Sequence, residues 1–303
     1  MNRLDAYLVG CAERTVVARY PGKSNLPGDI DLHTPSIARV YDYFLGGTEN
    51  WAVDREFGDA LLTRFPLLGD VARANRQFLN RVVQHLAHLG VRQFVDIGAG
   101  VPTLGSTHQA ADSVEPTSHV VYLDNEPVAV AHSQALLYEH GDPQRHTALT
   151  GDLRDPDQLW QDVLDTGLID PAQPVALLII AVLHIQQTDE RGVDVAADVL
   201  ARYRDLLPSG SYLAISQVTT EGVPAGFNNT LVEIKKMYDE RSSPVIWRSQ
   251  ADIRAFLGDF EPIEPGMTWT PSWHPEYSTP GAATVTFDAP NESVIWAGVG
   301  RKP

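Results

Sequence analysis

The spacing of apolar residues changes near residue 91. Before this point, apolar residues recur every three or four positions, as they do on one face of a helix. One such stretch begins at Ile37 and stops at Gly46-Gly47. A longer one runs from Val71 to Leu89, and Gly90 follows where a C-cap glycine belongs. The spacing predicts two helices in this part of the chain.

After residue 91, short apolar runs alternate with amphipathic stretches. The runs that predict strands are Gln93–Ile97, His119–Leu123, His146–Leu149, Val175–Leu183 and Ser211–Gln217. Strands that alternate with helices form a mostly parallel sheet, and ligands bind at the carboxyl ends of its strands. Two last runs, Ala283–Phe287 and Ser293–Val299, predict a closing antiparallel hairpin. The polar stretch Thr219–Pro244 predicts a partial lid or an insertion.

The same patterns predict three parts along the chain. Residues 1–33 carry Pro21, Gly22, Pro27 and Gly28 and are interpreted as an N-terminal arm. Residues 34–90 are expected to form a helical cap or lid, and residues 91–303 an α/β domain.

Composition narrows the classes of function. The chain has 303 residues, of which 43% are hydrophobic and 20% charged, as is typical of soluble globular proteins. A formal net charge of −16 disfavours nucleic acid and anionic membranes as partners. The single cysteine, Cys11, excludes an intrachain disulfide framework. Because the apolar runs are too short to span a bilayer, we expect a cytoplasmic protein.

The sharpest local motif is a strand that runs into a glycine turn. Asp96 precedes Gly98, Ala99 and Gly100, and the two glycines allow a ligand to approach the backbone closely. A dinucleotide would place an anionic pyrophosphate here, beside a repulsive carboxylate. The G-x-G-x-x-G motif of dinucleotide-binding proteins also needs a third glycine, and this chain has Thr103 at that position. S-adenosylmethionine carries an ammonium and a sulfonium instead, so Asp96 favours that cofactor.

Two further acids follow the next two predicted strands. Asp124 could accept hydrogen bonds from both ribose hydroxyls, and Asp152 from the adenine amino group while Leu153 packs on the ring. Helix capping is the alternative role for Asp124 and Asp152, because Asp is common at helix N-termini.

Taken together, these motifs resemble the actinobacterial S-adenosyl methyltransferase family, first described as a domain of unknown function. The resemblance spans about Pro35 to Lys302. It rests on residues 38–47, 50, 54–55, 75–76, 78–79, 96–103, 122–127, 151–156, 181–184 and 210–213 and on the closing Gly298-Val299-Gly300-Arg301-Lys302-Pro303. The chain differs at Ser106-Thr107-His108-Gln109, where the family usually has Asn-Val-His-Glu, beside the expected methionine end of the cofactor.

The resemblance implies a Rossmann-like class I methyltransferase fold. Its sheet would have seven strands, mostly parallel, and end in an antiparallel hairpin. It also implies that the chain binds S-adenosylmethionine. The implied cofactor contacts are Asp96, Gly98, Ala99, Gly100, Asp124, Asn125, Asp152, Leu153 and Ala181.

Three side chains are candidates for catalysis. His184 leaves the buried fourth strand and could act as a general base, or it could pack under the cofactor instead. Tyr41 and Tyr43 lie on the predicted helix before Gly46-Gly47, which could close over the site, although an aromatic stripe is usually core. No metal site is predicted, because His85 and His88 have no third ligand in view.

The sequence thus predicts an S-adenosylmethionine-dependent methyltransferase that acts on a small molecule in specialised metabolism. Two alternatives stay open at this point. One is an NAD(P)-dependent oxidoreductase, and the other is a regulatory protein that binds S-adenosylmethionine without transferring its methyl group.

Overall fold

The fold is built around a mixed sheet. A computed structural model describes residues 33–101, 105–278, 285 and 287–303. The strands are β1 (Gln93–Ile97), β2 (His119–Asp124), β3 (His146–Thr150), β4 (Ala176–Ile180), β5 (Tyr212–Val218), β6 (Glu261–Pro262), β7 (Thr268–Trp269) and β8 (Ile295–Arg301). Their order is β3-β2-β1-β4-β5-β8-β6, and β7 pairs with β8.

Helices cover both faces of this sheet. They are α1 (Ile37–Phe44), α2 (Ala52–Arg64), α3 (Leu68–His88), α4 (Thr107–Asp112), α5 (Pro127–His140), α6 (Pro156–Asp165), α7 (Ala196–Leu206), α8 (Phe227–Arg241) and α9 (Gln250–Ala255). In the described part of the chain, no helix is long and apolar enough to cross a membrane.

The central strands explain why the sheet is covered on both sides. All five residues of β1 and of β4 are buried, so neither strand has a face that water could wet. Leu177 and Ile179 pack with α6 and α7 on one face, whereas Leu178 packs with α3 on the other. The strands β3, β2, β1, β4 and β5 are parallel, which confirms the predicted Rossmann-like class I fold.

The end of the sheet is antiparallel, as predicted, but it is assembled differently. β8 runs antiparallel to β5, and its other described partners are β6 and β7. Among the described residues the sheet contains eight strands, of which β6 and β7 are only two residues long. The predicted partner strand at 283–287 falls largely outside the described residues, and Ser293 belongs to a 3-10 helix.

The polar stretch 219–244, predicted as a partial lid or insertion, contains helix α8. The apolar residues of α8 are sparse, but Leu231 and Ile234 share one buried face and join the cluster of α1 and α2. The predicted cap at 34–90 consists of α1, α2 and α3, of which α3 packs on the sheet. That residues 34–90 move as a lid stays a prediction, and so do the predicted domain bounds; of the arm at 1–33, only His33 is described.

A buried charge network ties α1 to α2 and to the end of β2. Arg39 is 3% exposed, and its Nε donates to Asp54 Oδ2 at 2.7 Å. Its Nη1 donates to Glu126 Oε1 at 2.8 Å, and its Nη2 donates to the Thr34 carbonyl oxygen at 3.0 Å. Asp54 also accepts from the backbone N–H of Ser36 at 2.9 Å, so the network positions both helix starts.

We expect Arg39→Met to destabilise the fold by about 3–5 kcal/mol, because it leaves the buried Asp54 carboxylate without a counter-ion. Urea unfolding followed by circular dichroism measures this free energy. Arg202→Met is the matched control, since Arg202 pairs with Asp157 at an exposed position. Equal stability of the two variants would contradict the structural role of Arg39.

Candidate active site

A cavity of about 400 Å³ opens at the carboxyl ends of the parallel strands. It lies where the strand order reverses, because β1 continues to β2 on one side and borders β4 on the other. Adjacent loops diverge at such a point and leave a crevice. The ends of β1, β2 and β4 and the loop after β3 all contribute side chains to its wall.

The turn after β1 requires glycine at two positions. Gly98 has φ +71° and Gly100 has φ +65°, both in the left-handed region. A Cβ atom on Gly98 would lie 2.3 Å from Cγ2 of Val182, whereas for one on Gly100 the nearest atom among the described residues is Cβ of Ala38, at 3.9 Å. Gly98 therefore serves close packing against the loop after β4, and Gly100 leaves the cavity side open.

Asp96 is a buried carboxylate at this turn. Its side chain lines the cavity and accepts a hydrogen bond from Thr107 Oγ1 at 2.5 Å. Burial raises the pKa of Asp96 to about 6, against the lowering effects of the Thr107 hydrogen bond and of the positive charge on Arg76. Thr107 belongs to the segment that differs from the family pattern, so that difference falls on a direct partner of Asp96.

Asp124 holds the turn against the end of β2. Its Oδ2 accepts from the N–H of Gly100 at 2.8 Å, and its Oδ1 accepts from the N–H of Glu126 at 2.8 Å. Burial raises the pKa of Asp124. Each carboxylate oxygen can accept more than one hydrogen bond, so Asp124 can still bind a pair of hydroxyl groups. These contacts are not a helix cap, because the N-cap residue of α5 is Glu126.

The loop after β3 brings Asp152 and Leu153 to the same cavity, together with Asn125 from the loop after β2. Asp152 is half-exposed and paired with Arg154, with 2.5 Å between Oδ2 and Nη2, and this hydrogen-bonded pair lowers the pKa of Asp152. Leu153 is buried in the core cluster of the sheet. The predicted contact of Asp152 with an adenine amino group would have to compete with Arg154.

Ala181 begins the loop after β4 in a strained conformation. Its φ of +60° is unusual for a residue with a Cβ atom. The N–H of Ala181 donates to Ser216 Oγ at 2.9 Å, and Ser216 Oγ donates to Asn75 Oδ1 at 2.7 Å. These buried contacts hold the loop so that Ala181 and His184 both line the cavity.

His184 has an unsatisfied nitrogen beside the cavity. Its Nδ1 is buried and has no hydrogen-bond partner. Burial, together with the nearby positive charge of Arg248, lowers the pKa of His184 to about 4, so the imidazole is neutral at pH 7. Its ring lies 6.4 Å from that of Trp247, measured between ring centroids. That His184 acts as a general base stays a prediction.

The two tyrosines of α1 have different surroundings. Tyr41 lines the cavity, where its hydroxyl donates to the Ala72 carbonyl at 3.0 Å and accepts from Asn75 Nδ2 at 3.0 Å. Tyr43 is not among the described residues that line the cavity, and its hydroxyl donates to Asp59 at an exposed position, at 2.6 Å. The Tyr43 hydroxyl thus lies at a surface pair with Asp59, and a catalytic role for Tyr43 stays a prediction.

Several cavity residues escaped the sequence interpretation. Leu231, Ile234 and Tyr238 of α8 form an apolar part of the wall. The spacing of three and four between Leu231, Ile234 and Tyr238 is a helical signal, which the surrounding polar residues obscured. Arg76 of α3 also lines the cavity, although the sequence marked it only as part of a resemblance.

The histidines on α3 form an aromatic cluster instead of a metal site. His85 stacks on His274 with 4.2 Å between ring centroids, and His88 contacts Tyr277. Burial lowers the pKa of His85 to about 4, with a contribution from His274. Within the described ranges, no three histidine, cysteine or acidic side chains are grouped as a metal ion would require.

Comparisons with known proteins agree with this geometry. The sequence model of a family described as S-adenosyl methyltransferase matches residues 23–303. An inferred methyltransferase from Thermobifida fusca YX is 33% identical, with a TM-score of 0.77 over 90% of this chain and 96% of that one. A DUF574 family protein from Streptomyces avermitilis MA-4680 is 36% identical, with a TM-score of 0.77 over 89% and 98% of the two chains. No curated protein matches the chain.

The two turn glycines should differ in their tolerance of alanine. Gly100→Ala should cost about 1–2 kcal/mol of stability, the cost of a left-handed conformation alone. Gly98→Ala should cost more, because its Cβ would also collide with Val182. Urea unfolding of both variants measures the difference, and Val182→Ala in the Gly98→Ala background should recover part of the loss. Equal losses without recovery would show that Val182 does not press on this turn.

Proposed function

The chain belongs to the S-adenosyl methyltransferase family and is a methyltransferase that depends on S-adenosylmethionine; we propose that it methylates a small, largely apolar acceptor. Family membership sets aside the oxidoreductase alternative. It also favours catalysis over a purely regulatory role. That the acceptor belongs to specialised metabolism stays a prediction.

The residues around the glycine turn fit the cofactor. Asp124 would accept hydrogen bonds from the ribose hydroxyls of S-adenosylmethionine. The backbone of Gly98, Ala99 and Gly100 would lie beside the methionine part of the cofactor. The remaining proposed contacts are Asn125 beside the ribose, Asp152 and Leu153 at the adenine, and Ala181 beneath it. Asp96 would face the ammonium group, because a buried carboxylate gains most from a cationic partner.

The observation that carries the proposal is that one cavity joins this acidic edge to an apolar compartment. The compartment is lined by Phe44 and Val71, by the α8 residues Leu231, Ile234 and Tyr238, and by Trp247, Val294 and Ile295. An uncharged molecule with an aromatic or aliphatic body would bury its surface there. A strongly charged acceptor would find few partners, since the described residues of this compartment carry no carboxylate.

S-adenosylmethionine, when bound, supplies a methyl group on a sulfonium, and in-line displacement of it depends mainly on alignment. His184 lines the cavity, and we propose that it receives the proton of an acceptor hydroxyl. A pKa of about 4 makes His184 a weak base. A hydroxyl oxygen becomes strongly acidic once it has gained the methyl group, so a weak base suffices when the proton leaves late.

Cofactor binding should depend on pH through Asp96. Its raised pKa means that the carboxyl group is protonated, and neutral, below about pH 6. A cationic ligand binds the ionised form better, so affinity for S-adenosylmethionine should fall by up to about tenfold per pH unit below pH 6. Calorimetric titration between pH 5 and pH 7.5 measures this, with S-adenosylhomocysteine and NADH in parallel.

The Asp96→Asn variant is the control for this titration. It removes the titrating group and keeps an oxygen that can accept from Thr107. Its affinity should be lower than that of the wild type at pH 7.5 and nearly independent of pH. An unchanged pH dependence in this variant would assign the effect to another group, such as Asp124. Binding of NADH alone would overturn the cofactor assignment.

Replacement of His184, the proposed proton acceptor, should slow turnover without lowering the affinity for the cofactor. We expect His184→Gln to lower turnover of hydroxyl-bearing aromatic acceptors on the order of 10²-fold, the usual effect of losing a general base. Production of S-adenosylhomocysteine from a panel of such acceptors measures it, and calorimetry checks that cofactor affinity stays within a few-fold. His88→Gln is the matched control, since His88 is exposed and outside the cavity wall. Full activity of His184→Gln would exclude His184 as a base.

A further inference from the structure

The cavity contains one cation whose partner is missing among the described residues. Arg76 lies on α3 and is half-buried, and its Nε is buried without a hydrogen-bond partner. In the described ranges of the chain, Arg76 forms no ion pair with any carboxylate. A buried guanidinium nitrogen without a partner is costly, so such groups usually face a ligand or a paired acid.

The surroundings of Arg76 show where its charge acts. The guanidinium carbon lies 5.8 Å from the centre of the Tyr41 ring. Its positive charge lowers the pKa of Asp96 and of Tyr41, which are both at the cavity wall. Arg76 and Asp96 are therefore close enough to interact but remain separate, each able to bind an opposite charge.

The other charged side chains of the wall are acidic. Asp96, Asp124, Glu126 and Asp152 are the described carboxylates that line the cavity, and His184 is neutral. Glu126 is already bound to Arg39, and Asp152 to Arg154. Arg76 is thus the one fixed positive charge among the described lining residues, in a cavity that otherwise attracts cations.

An amino-acid group matches this pair of opposite charges. Its ammonium and carboxylate are attached to the same carbon atom, so a site for both needs an acid and a base a few ångströms apart. S-adenosylmethionine ends in such a group, and its carboxylate is its single anion. Arginine suits this group, since its planar donors can bind both carboxylate oxygens.

We propose that Arg76 binds the α-carboxylate of S-adenosylmethionine while Asp96 beside it binds the α-ammonium. The inference rests on the proposed function, since it places a part of that cofactor. Arg76 would then orient the methionine end, which determines where the sulfonium methyl group points. This assignment explains why Arg76 and Asp96 do not form an ion pair with each other, because each binds one charged group of the ligand.

Decarboxylated S-adenosylmethionine tests the proposal without any change to the protein. This analogue keeps the amino and sulfonium groups and lacks only the carboxylate. Calorimetric titration of the wild type should show that it binds ten- to a hundredfold more weakly than S-adenosylmethionine. Equal affinities of the wild type for the two compounds would overturn the proposal.

Variants of Arg76 then identify the residue responsible. Arg76→Gln should bind S-adenosylmethionine about as weakly as the decarboxylated analogue, so the ratio of the two affinities falls close to one. Arg76→Lys should give an intermediate ratio, because it restores the charge without the paired donors. Arg73→Gln is the control on the same helix, since Arg73 pairs with Asp70 and is not among the described lining residues.

The possible outcomes are distinguishable. If Arg76 had only a structural role, its substitution would lower the affinities for both ligands equally. The ratio of the two affinities would then stay as in the wild type, which contradicts the proposal. A role in binding the acceptor would change turnover and leave both cofactor affinities unaltered, which also contradicts it. If the wild type bound neither S-adenosylmethionine nor S-adenosylhomocysteine, the proposed function would fail, and this inference with it.

Discussion

The site depends on keeping two opposite charges, Asp96 and Arg76, apart inside one cavity. Burial penalises both, and a direct ion pair would be the simplest relief. The structure instead gives Asp96 a hydroxyl donor, Thr107, and leaves the Nε of Arg76 without a partner. Burial raises the pKa of Asp96, and the contributions of Thr107 and Arg76 offset this effect only in part. A ligand that carries both charges would compensate each of them.

The backbone around this pair is correspondingly constrained. Gly98 and Ala181 both adopt left-handed conformations, and they begin the loops that follow the neighbouring strands β1 and β4. Val182 packs so closely on Gly98 that no Cβ atom fits there. Asp124 completes the arrangement, because it holds the N–H of Gly100 from the other side. Contacts with one another therefore fix the loops after β1 and β4. Rigid loops of this kind can hold a reacting group in place.

The sequence predicted the parts of this site that depend on strand ends. Asp96, Gly98 and Asp124 could be placed because each lies where a predicted buried strand passes into a turn. Parallel strands bring such ends together at one edge of the sheet. The apolar compartment, where we propose that the acceptor binds, was not predictable in this way, since Leu231 and Ile234 reach the cavity only through tertiary packing. Tyr43 shows the same limit, because helical spacing alone could not tell whether its hydroxyl faces the cavity or Asp59. Arg76 was visible as a residue type, but an unpaired buried nitrogen can be recognised only in three dimensions.

The two compartments of the cavity are supported by different kinds of structure. The cofactor edge is formed by strand ends, whose positions the hydrogen bonds of the sheet fix. The apolar compartment proposed for the acceptor is lined by residues of α1, α3 and α8 and by Trp247, whose Nε1 donates to the Leu231 carbonyl at 3.0 Å. Side chains on such helices can change without disturbing the sheet, whereas a change at Asp96 or Gly98 alters the cofactor edge itself. Arg39 joins the two parts, because it bonds both Asp54 at the start of α2 and Glu126 at the end of β2. Different acceptors could therefore be accommodated through α8 and Trp247, while this buried ion pair keeps the wall aligned with the cofactor edge.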